Sequence, residues 1–354
     1  MTTVVSALCY CNGNIWAIQQ NTNLLLKIDC ELSSVTNCYA IEEEPSYFDR
    51  AWPEKLYAVD NKLYIIFYAA KRIYCFDLIR ECFLSPIAIP EDIILYHEFV
   101  ECVKGYLYFF PSWKMPMMKL SCSKRTIQVF RETDITDIYM SRAGDVCEGN
   151  AYSVDRFKNI IYKVNLYNGN ITKISVGDDN DVFWGIKKNK ELVIIFHIKD
   201  NKVLICNNDF KILDVINPNE GVGTISGDNI PLDIVCSNDK TVLFPYYHNK
   251  IFCIRHNPFS IEMMSLDSNI PIITSSVLIN EEVCIFDSIE KELIYLNLRS
   301  EKIRKKHLII EFDTRPSIFK NKGIIIKEKN IYPTLLDLIS DIDHDETIFK
   351  QEKS

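Results

Sequence analysis

Residues 60–68 read Asp-Asn-Lys-Leu-Tyr-Ile-Ile-Phe-Tyr, which is a turn signal followed at once by a long apolar strand. The same order of turn and strand recurs along the chain. Asn and Gly suit such turns because both tolerate the positive φ that tight hairpins need. The turn markers are Gly13, Asn61, Gly105, Gly149, Asn189, Asn238, Asn280 and Gly323, with successive separations of 48, 44, 44, 40, 49, 42 and 43 residues.

A third strand follows most of these second strands, and it often ends in Asp or Asn. Asp77, Asn165 and Asn297 stand at such ends, where an Asx turn can begin. A more variable fourth strand comes next. Four short strands in each period, rich in Val, Ile, Tyr and Phe at continuous or alternating positions, predict an all-β fold of four-stranded antiparallel blades.

Seven complete units can be traced in the chain. Their predicted bounds are 6–44, 53–91, 97–132, 137–177, 181–217, 231–267 and 272–312. An eighth hairpin at 317–327 lacks third and fourth strands, so seven blades are favoured and eight remain possible. We expect a single domain over 1–330. A short helix and a charged tail are expected over 331–354, because Pro333 precedes a capping box at 334–337.

The repeat resembles that of the β-propeller proteins over most of the chain. It carries no Trp-Asp with an upstream Gly-His, as in WD40 repeats, and no Gly-Gly pair, as in kelch repeats. The Asp-box of sialidases and the signature of quinone-dependent dehydrogenases are absent as well. The resemblance therefore implies a closed ring of blades and brings neither a catalytic residue nor a cofactor with it.

Composition and charge indicate a globular protein and argue against nucleic-acid-binding and membrane-spanning proteins. Hydrophobic residues make up 47% of the chain and charged residues 25%, which is typical of a globular protein. The net charge of −8 argues against nucleic acid as a partner. The longest apolar run, Leu63 to Ala70, is too short for a membrane span.

The chain has thirteen Cys residues but no CxxC pair, and no secretory signal precedes the first strand. We therefore expect reduced, mostly buried thiols and a cytoplasmic location.

Function in a propeller is expected in the loops that join successive blades or that join a second strand to a third, because these loops vary while the blades stay rigid. The candidate binding residues in them are Tyr47, Asp49, Arg50, Trp52, His97, Trp113, Arg156, His197, Tyr247 and His248. Each has a plainer interpretation. The two Trp also suit packing between blades, the three His suit isolated surface or half-buried imidazoles, and Arg156 suits a rim ion pair with Asp155.

No nucleophile–base pair, metal-ligand cluster or cofactor motif appears in the sequence, so we predict no catalytic residue, no metal and no cofactor. The sequence favours a monomeric, non-enzymatic scaffold that binds another protein through aromatic and charged loop residues. Two alternatives stay open. One is a module for a small ligand or glycan, and the other is a propeller hydrolase or lyase with its site at the channel mouth.

Overall fold

The computed structural model describes residues 5–19, 24–41, 52–97, 99–112, 114–131, 137–141, 143–179, 181–188, 192–197, 202–216, 231–236, 240–245, 250–256, 259–265, 275–287 and 292–310. Every regular element in these ranges is a β-strand. Within them, no helix has the length and apolar character that crossing a membrane requires. The expected eighth hairpin and C-terminal helix lie outside the described residues.

The strands form seven sheets of four consecutive antiparallel strands, which we call A to D within each blade. Blades one to three are β1–β4 (Val5–Cys11, Asn14–Gln19, Leu24–Asp29, Ser34–Ala40), β5–β8 (Trp52–Val59, Lys62–Tyr68, Arg72–Asp77, Cys82–Ala88) and β9–β12 (Val100–Val103, Tyr106–Phe109, Met117–Ser121, Thr126–Phe130). Blades four and five are β13–β16 (Asp145–Cys147, Asn150–Val154, Ile160–Asn165, Ile171–Ser175) and β17–β20 (Phe183–Lys188, Val193–His197, Val203–Cys206, Ile212–Ile216). Blades six and seven are β21–β24 (Pro231–Cys236, Lys240–Pro245, Lys250–His256, Phe259–Ser265) and β25–β28 (Ser276–Ile279, Glu282–Asp287, Glu292–Asn297, Ile303–His307).

These sheets are the blades of a seven-bladed β-propeller. The predicted fold class and the favoured blade count are both confirmed. Each sheet follows the chain in the order A-B-C-D, as expected for a meander of short hairpins. The sheets fall within the bounds predicted from the repeat to within a few residues at most ends.

The A–B turns at the Gly markers have the predicted positive φ, whereas in the turn of blade two the positive φ falls on Asp60 (49°) and not on the marker Asn61. Positive φ occurs at both central residues of the turn at Lys104 and Gly105, with values of 48° and 78°. The same holds for the turns ending at Gly13 and Gly149. Two positive φ values define the type I′ turn, whose twist matches that of the flanking strands. At these three turns the turn residues therefore fix the register of the hairpin locally.

The C–D turns begin with the predicted Asx turns. The Asn297 side-chain oxygen accepts hydrogen bonds from the backbone N–H groups of Arg299 (3.1 Å) and Ser300 (2.8 Å). Asp77 and Asn165 make the same pair of bonds. Asp29 and Asn207, at the corresponding ends in blades one and five, also accept two backbone N–H bonds each.

The chain forms two compact units. The first holds blades one and seven with part of blade two, and the second holds the rest of blade two with blades three to six. In the first unit, Leu26, Val35, Leu293 and Tyr295 belong to one core shared by blades one and seven. In the second unit, similar cores lie between blades three and four, four and five, and five and six.

The edge of blade one carries a fifth strand. This strand, β29, is Ile309–Ile310 and pairs in parallel with Ser34–Val35 of β4. The Lys306 ammonium group adds hydrogen bonds to the backbone oxygens of Cys30 (3.0 Å) and Glu31 (2.9 Å). Blade one is therefore bonded to the last strand of blade seven through a side chain and to the chain that follows blade seven through backbone.

Candidate functional site

Each blade has two different ends. The A–B and C–D turns lie at one end, and the B–C loop lies at the other together with the connection from the preceding blade. We call the end that carries the B–C loop the B–C end. The candidate residues Arg156 and His197 lie at the B–C ends of blades four and five, and His97 lies in the connection into blade three.

The B–C loop of blade four is held by backbone bonds on both sides. The N–H of Asp155 donates to the carbonyl of Ile160 at 2.8 Å, which continues the ladder toward strand C. On the other side, the N–H of Arg156 donates to the carbonyl of Tyr139 at 3.0 Å. The segment 139–141 thus lines the loop like a short extra strand, with Met140 paired antiparallel to Asp155.

The buried Asp155 carboxylate accepts hydrogen bonds that hold the loop in one conformation. It is 0% exposed, and its Oδ1 accepts the backbone N–H of Phe157 at 2.8 Å. Its Oδ2 accepts the hydroxyl hydrogen of Tyr162. Burial, together with this bond to a carboxylate, raises the pKa of Tyr162 well above its usual value. Buried polar groups that are fully bonded in this way hold a backbone in one conformation.

The side chains that follow Asp155 point outward. Phe157 is 60% exposed, and Arg156 and Lys158 on either side of it are exposed as well. The Phe157 ring stands edge-on to the ring of Tyr139, with centroids 5.4 Å apart and an interplanar angle of 80°. We call Tyr139, Arg156, Phe157 and Lys158 the blade-four patch. It is an aromatic pair flanked by two cations on a rigid loop.

His97 has a different role from the one expected of a surface imidazole. It is only 2% exposed, and its Nε2 donates to the carbonyl of Pro116 at 2.8 Å. Burial lowers the pKa of His97 to about 4, so the ring is neutral near pH 7. Pro116 follows the turn in which the Met115 N–H donates to the Ser112 carbonyl at 2.8 Å. The buried His97 ring therefore anchors this loop through its hydrogen bond to the Pro116 carbonyl.

His197 is also more buried than a surface imidazole would be, at 7% exposure. Its Nε2 lies 2.9 Å from Oδ1 of Asp181, and Oδ2 of Asp181 accepts the backbone N–H of Asp178 at 2.7 Å. The pair fastens the connection that enters blade five to the end of strand B.

The remaining candidates are not characterised by the structure. Tyr47, Asp49, Arg50, Trp113, Tyr247 and His248 lie outside the described residues. Trp52 is the first residue of β5, and its side chain is not among those described. Their proposed part in binding stays a prediction.

Two other expectations concern metals and thiols. Among the residues that the structure describes, no three His, Cys, Asp or Glu side chains are placed to share a metal ion. Twelve of the thirteen Cys residues have side chains that the structure describes, and none of these twelve forms a disulfide bond, as predicted. Six of them are buried, five are half-buried and Cys82 is exposed, so burial is less general than the apolar neighbours suggested.

Sequence reasoning singled out Arg156 but missed Phe157, Tyr139 and Lys158. The signal was present, since Phe157 directly follows the Asp155-Arg156 pair in a loop already assigned to the B–C end. An apolar residue in a strand-rich chain is normally assigned to the core. Only the buried Asp155, which uses both carboxylate oxygens inside the loop, shows that Phe157 must turn outward.

Comparison with known proteins supports the fold and no specific family. No protein-family model and no curated protein sequence matches the chain. Among solved structures, virginiamycin B lyase from Staphylococcus aureus superposes with a TM-score of 0.61 at 13% identity, covering 80% of this chain and 91% of the lyase.

A catalytically inactive variant of that lyase with quinupristin gives a TM-score of 0.63 at 13% identity, with 86% and 94% of the two chains covered. YCF48 bound to D1 peptide gives a TM-score of 0.62 at 8% identity, with 80% and 90% covered. Likeness at these identities is evidence for a β-propeller and for nothing narrower.

Proposed function

We propose that this β-propeller is a non-enzymatic scaffold that binds another protein through the blade-four patch. The observation that carries the proposal is the bonding of the buried Asp155 to the Phe157 N–H, which holds a 60% exposed aromatic ring out of the core. A single exposed apolar side chain is ordinary at a protein surface, but an aromatic ring that is held in place beside a second aromatic ring and two cations is typical of a contact surface.

The composition of the patch supports the same proposal. Aromatic and Arg side chains dominate the residues that contribute most to protein–protein affinity. The loop is also preorganised by hydrogen bonds, which reduces the entropy lost on binding. A propeller of similar extent, YCF48, has been solved with a bound peptide. That finding concerns YCF48, and here it serves only as a precedent for peptide binding by the fold.

The proposal is tested by comparing two exposed aromatics of the same blade. Phe157 lies at the B–C end, and Tyr167, which is 80% exposed, lies in the C–D turn at the opposite end. Wild type, Phe157→Ala and Tyr167→Ala are immobilised in equal amounts and exposed to lysate of the source cell. We expect at least one protein to be retained by wild type and by Tyr167→Ala and to be lost with Phe157→Ala.

The melting temperatures of the three proteins provide the necessary control. Both substitutions remove a mainly solvent-exposed ring, so both variants should melt close to wild type. Equal retention of every protein by Phe157→Ala and wild type would refute the proposed binding surface. A variant that melts early would be replaced by Phe157→Ser, which tests the same contact with a more soluble side chain.

A further inference from the structure

We propose that blade three binds a phosphate group, free or as a small monoester, at the end that carries its A–B and C–D turns. The site consists of Ser121 and Ser123 of the C–D turn with Lys104, Lys119 and Lys124, and we call it the blade-three turn site. It lies at the opposite end of the blade from the B–C loop and does not depend on the blade-four patch.

The C–D turn of blade three has the same backbone conformation as the C–D turns of other blades. The Cys122 N–H donates to the Gly105 carbonyl at 3.1 Å. The Arg125 N–H donates to the Ser121 carbonyl at 2.7 Å. Both bonds have equivalents in blades four and seven, and the φ of 56° at Arg125 matches the 57° at Glu301 in blade seven. The N–H groups of this turn therefore point in the same directions as those of its counterparts.

The side chain that begins this turn differs from those of other blades. In blades one, two, four and seven, an Asp or Asn oxygen accepts the N–H groups two and three positions further along. Blade three has Ser121 here, and its shorter side chain accepts the N–H of Lys124 at 3.4 Å. The Ser123 N–H meets no acceptor among the residues that the structure describes. It therefore points to a position that a side-chain oxygen fills in four other blades.

Three lysines belong to the same end of the blade. Lys104 in the A–B turn and Lys124 in the C–D turn are both exposed, and the two turns are bonded to each other. The Lys119 ammonium group lies 4.1 Å from the ring centroid of Tyr106. This cation–π contact holds it beside the A–B turn, because Tyr106 directly follows Gly105. Within the described part of the chain, no carboxylate forms an ion pair with any of the three.

The charge of blade three differs in sign from that of the chain. Its described residues, 99–112 and 114–131, contain six Lys and Arg but only one carboxylate, that of Glu101 in strand A. Arg131 is ion-paired and Lys114 lies in the B–C loop, so four of the six cations belong to the turn end. Attraction beyond about 8–10 Å is screened at physiological salt, so these nearby cations decide whether a small anion binds.

The number and kind of donors favour phosphate as the anion. A phosphate monoester carries a charge of about −1.5 to −2 at pH 7 and has three strong acceptor oxygens, whereas a carboxylate carries a single charge. Ammonium groups bind phosphate as point charges, and free N–H groups of a turn bind anionic oxygens. A nucleic acid would require a longer basic surface, but the A–B turn of blade four exposes the carboxylate of Glu148.

The Ser123 amide provides a direct probe of binding. Full-length protein labelled with nitrogen-15 serine is titrated with inorganic phosphate, methyl phosphate or acetate at constant ionic strength, and Ser123→Ala identifies the signal. We expect a saturable shift of this amide with phosphate and none with acetate. Saturation by methyl phosphate as well would identify a monoester as an acceptable source of the group, and saturation by phosphate alone would identify the free anion. No saturable shift with either, or an equal response to acetate, would overturn the inference.

The variant Ser121→Asp supplies the missing oxygen from the chain itself. Its carboxylate should accept the Ser123 N–H, as Asp77 does for Ile79 in blade two, and should repel the anion. We expect Ser121→Asp to bind phosphate at least about 30-fold more weakly than wild type, with an unchanged melting temperature. Wild-type affinity in this variant would overturn the inference.

A second pair of variants tests the lysines without changing the turn. Lys104→Gln/Lys124→Gln should bind phosphate about 10-fold more weakly, because two of the three ammonium groups are lost. Lys114→Gln removes an exposed lysine at the other end of the same blade and should bind as wild type does. Equal affinities of the double variant and Lys114→Gln would show that the lysines of the turn end do not form a site.

Discussion

The Glu81 carboxylate, in the C–D turn of blade two, accepts a hydrogen bond from the Tyr39 hydroxyl on the outer strand of blade one. Lys27 Nζ lies 2.6 Å from the same carboxylate. The bonds from Lys27 and Tyr39 hold the pKa of Glu81 below its usual value, and burial together with the Glu81 bond raises the pKa of Tyr39. Neighbouring blades are therefore joined here by polar contacts as well as by apolar packing.

The same turn position makes the contact to the preceding blade elsewhere in the molecule. Glu81 has a positive φ of 49°, and its counterparts in the next three blades also have positive φ. In blade three, the Arg125 guanidinium donates a hydrogen bond to the Ser85 carbonyl of blade two. In blade four, a Cβ on Gly169 would lie 3.0 Å from the Phe130 ring of blade three. In blade five, the centroid of the Phe210 ring lies 6.0 Å from that of the Tyr152 ring of blade four. Backbone conformation at this position is common to these blades, whereas the chemistry of the contact varies from blade to blade.

Replacing Glu81 with Gln should lower the free energy of unfolding by about 1 kcal/mol at pH 7. A hydrogen bond to a charged group contributes roughly 1.5–3 kcal/mol, and this carboxylate is 33% exposed, which reduces the effect. The pKa of Glu81 is lower in the folded chain, so its contribution is present above the ordinary pKa of 4.5 and is lost as the pH falls through the folded value. Urea unfolding should therefore show wild type and Glu81→Gln converging at acid pH. Glu31→Gln, an exposed carboxylate in the C–D turn of blade one, is the control and should change little.

Replacing Asn165 with Ala should cost about 1–2 kcal/mol of unfolding free energy. The substitution removes the acceptor for the N–H groups of Tyr167 (2.9 Å) and Asn168 (3.2 Å) at the start of the C–D turn. The loss resembles that of a helix N-cap, where a side-chain oxygen also satisfies backbone N–H groups. Asn165→Asp keeps the acceptor and should stay near wild type. Equal destabilisation by Asp and Ala in chemical denaturation would show that the Asx bonds are not responsible.

Local rules explain why the sequence predicted the blades so closely. The φ values of Lys104-Gly105 and the Asx turns at Asp77 and Asn297 depend on residues within a few positions in the chain. A periodic placement of such turns fixes strand length and register, and the apolar B strands then have to pack on both faces. The five residues of β18 are all buried, as this argument requires.

Contacts across blades depend on residues that are distant in the sequence and were not predicted. Nothing near Glu81 in the chain indicates that Tyr39 and Lys27 will meet its carboxylate. Burial of His97 was missed for a similar reason, since its acceptor is a carbonyl 19 residues away, at Pro116. The blade-four patch lies between these cases, because the loop was predicted and the outward direction of Phe157 was not.

Acid should destabilise the protein through His97. The pKa of this buried imidazole is about 4 in the folded chain, against an ordinary value of 6.5, so the unfolded chain takes up the proton first. Stability is therefore lost as the pH falls from about 6.5 toward 4, and linkage gives a loss of about 2 kcal/mol at pH 5 from this group. Urea unfolding of wild type at pH 7 and pH 5 measures the combined effect.

The variant His97→Gln isolates the contribution of the imidazole. Gln can donate a hydrogen bond to Pro116 but does not titrate, so its stability difference between pH 7 and pH 5 should be about 2 kcal/mol smaller than that of wild type. His307→Gln, at an exposed histidine of β28, provides the matched histidine-to-glutamine control. A His97→Gln protein with the same acid sensitivity as wild type would contradict the assignment.

Asp155 should determine the conformation of the blade-four patch without contacting a partner itself. Its substitution by Ala removes the acceptor of both the Phe157 N–H and the Tyr162 hydroxyl. We expect hydrogen exchange at the Phe157 amide to accelerate, and the free energy of unfolding to fall by about 1–3 kcal/mol because the buried Tyr162 hydroxyl loses its carboxylate acceptor and keeps only the longer bond to the Asp137 carbonyl. Asp155→Asn retains one acceptor and should lie between wild type and Asp155→Ala in both measurements.

Two further variants separate this positioning role from a general loss of stability. The combination Asp155→Ala/Tyr162→Phe should be less destabilising than the sum of its single substitutions, because the two side chains share one bond. Phe157→Ala should weaken retention of the partner protein while leaving amide exchange in the loop slow, whereas Asp155→Ala should weaken retention and accelerate exchange. Full retention of the partner protein by an Asp155→Ala protein with a fast-exchanging Phe157 amide would show that binding does not require the loop to be held in place.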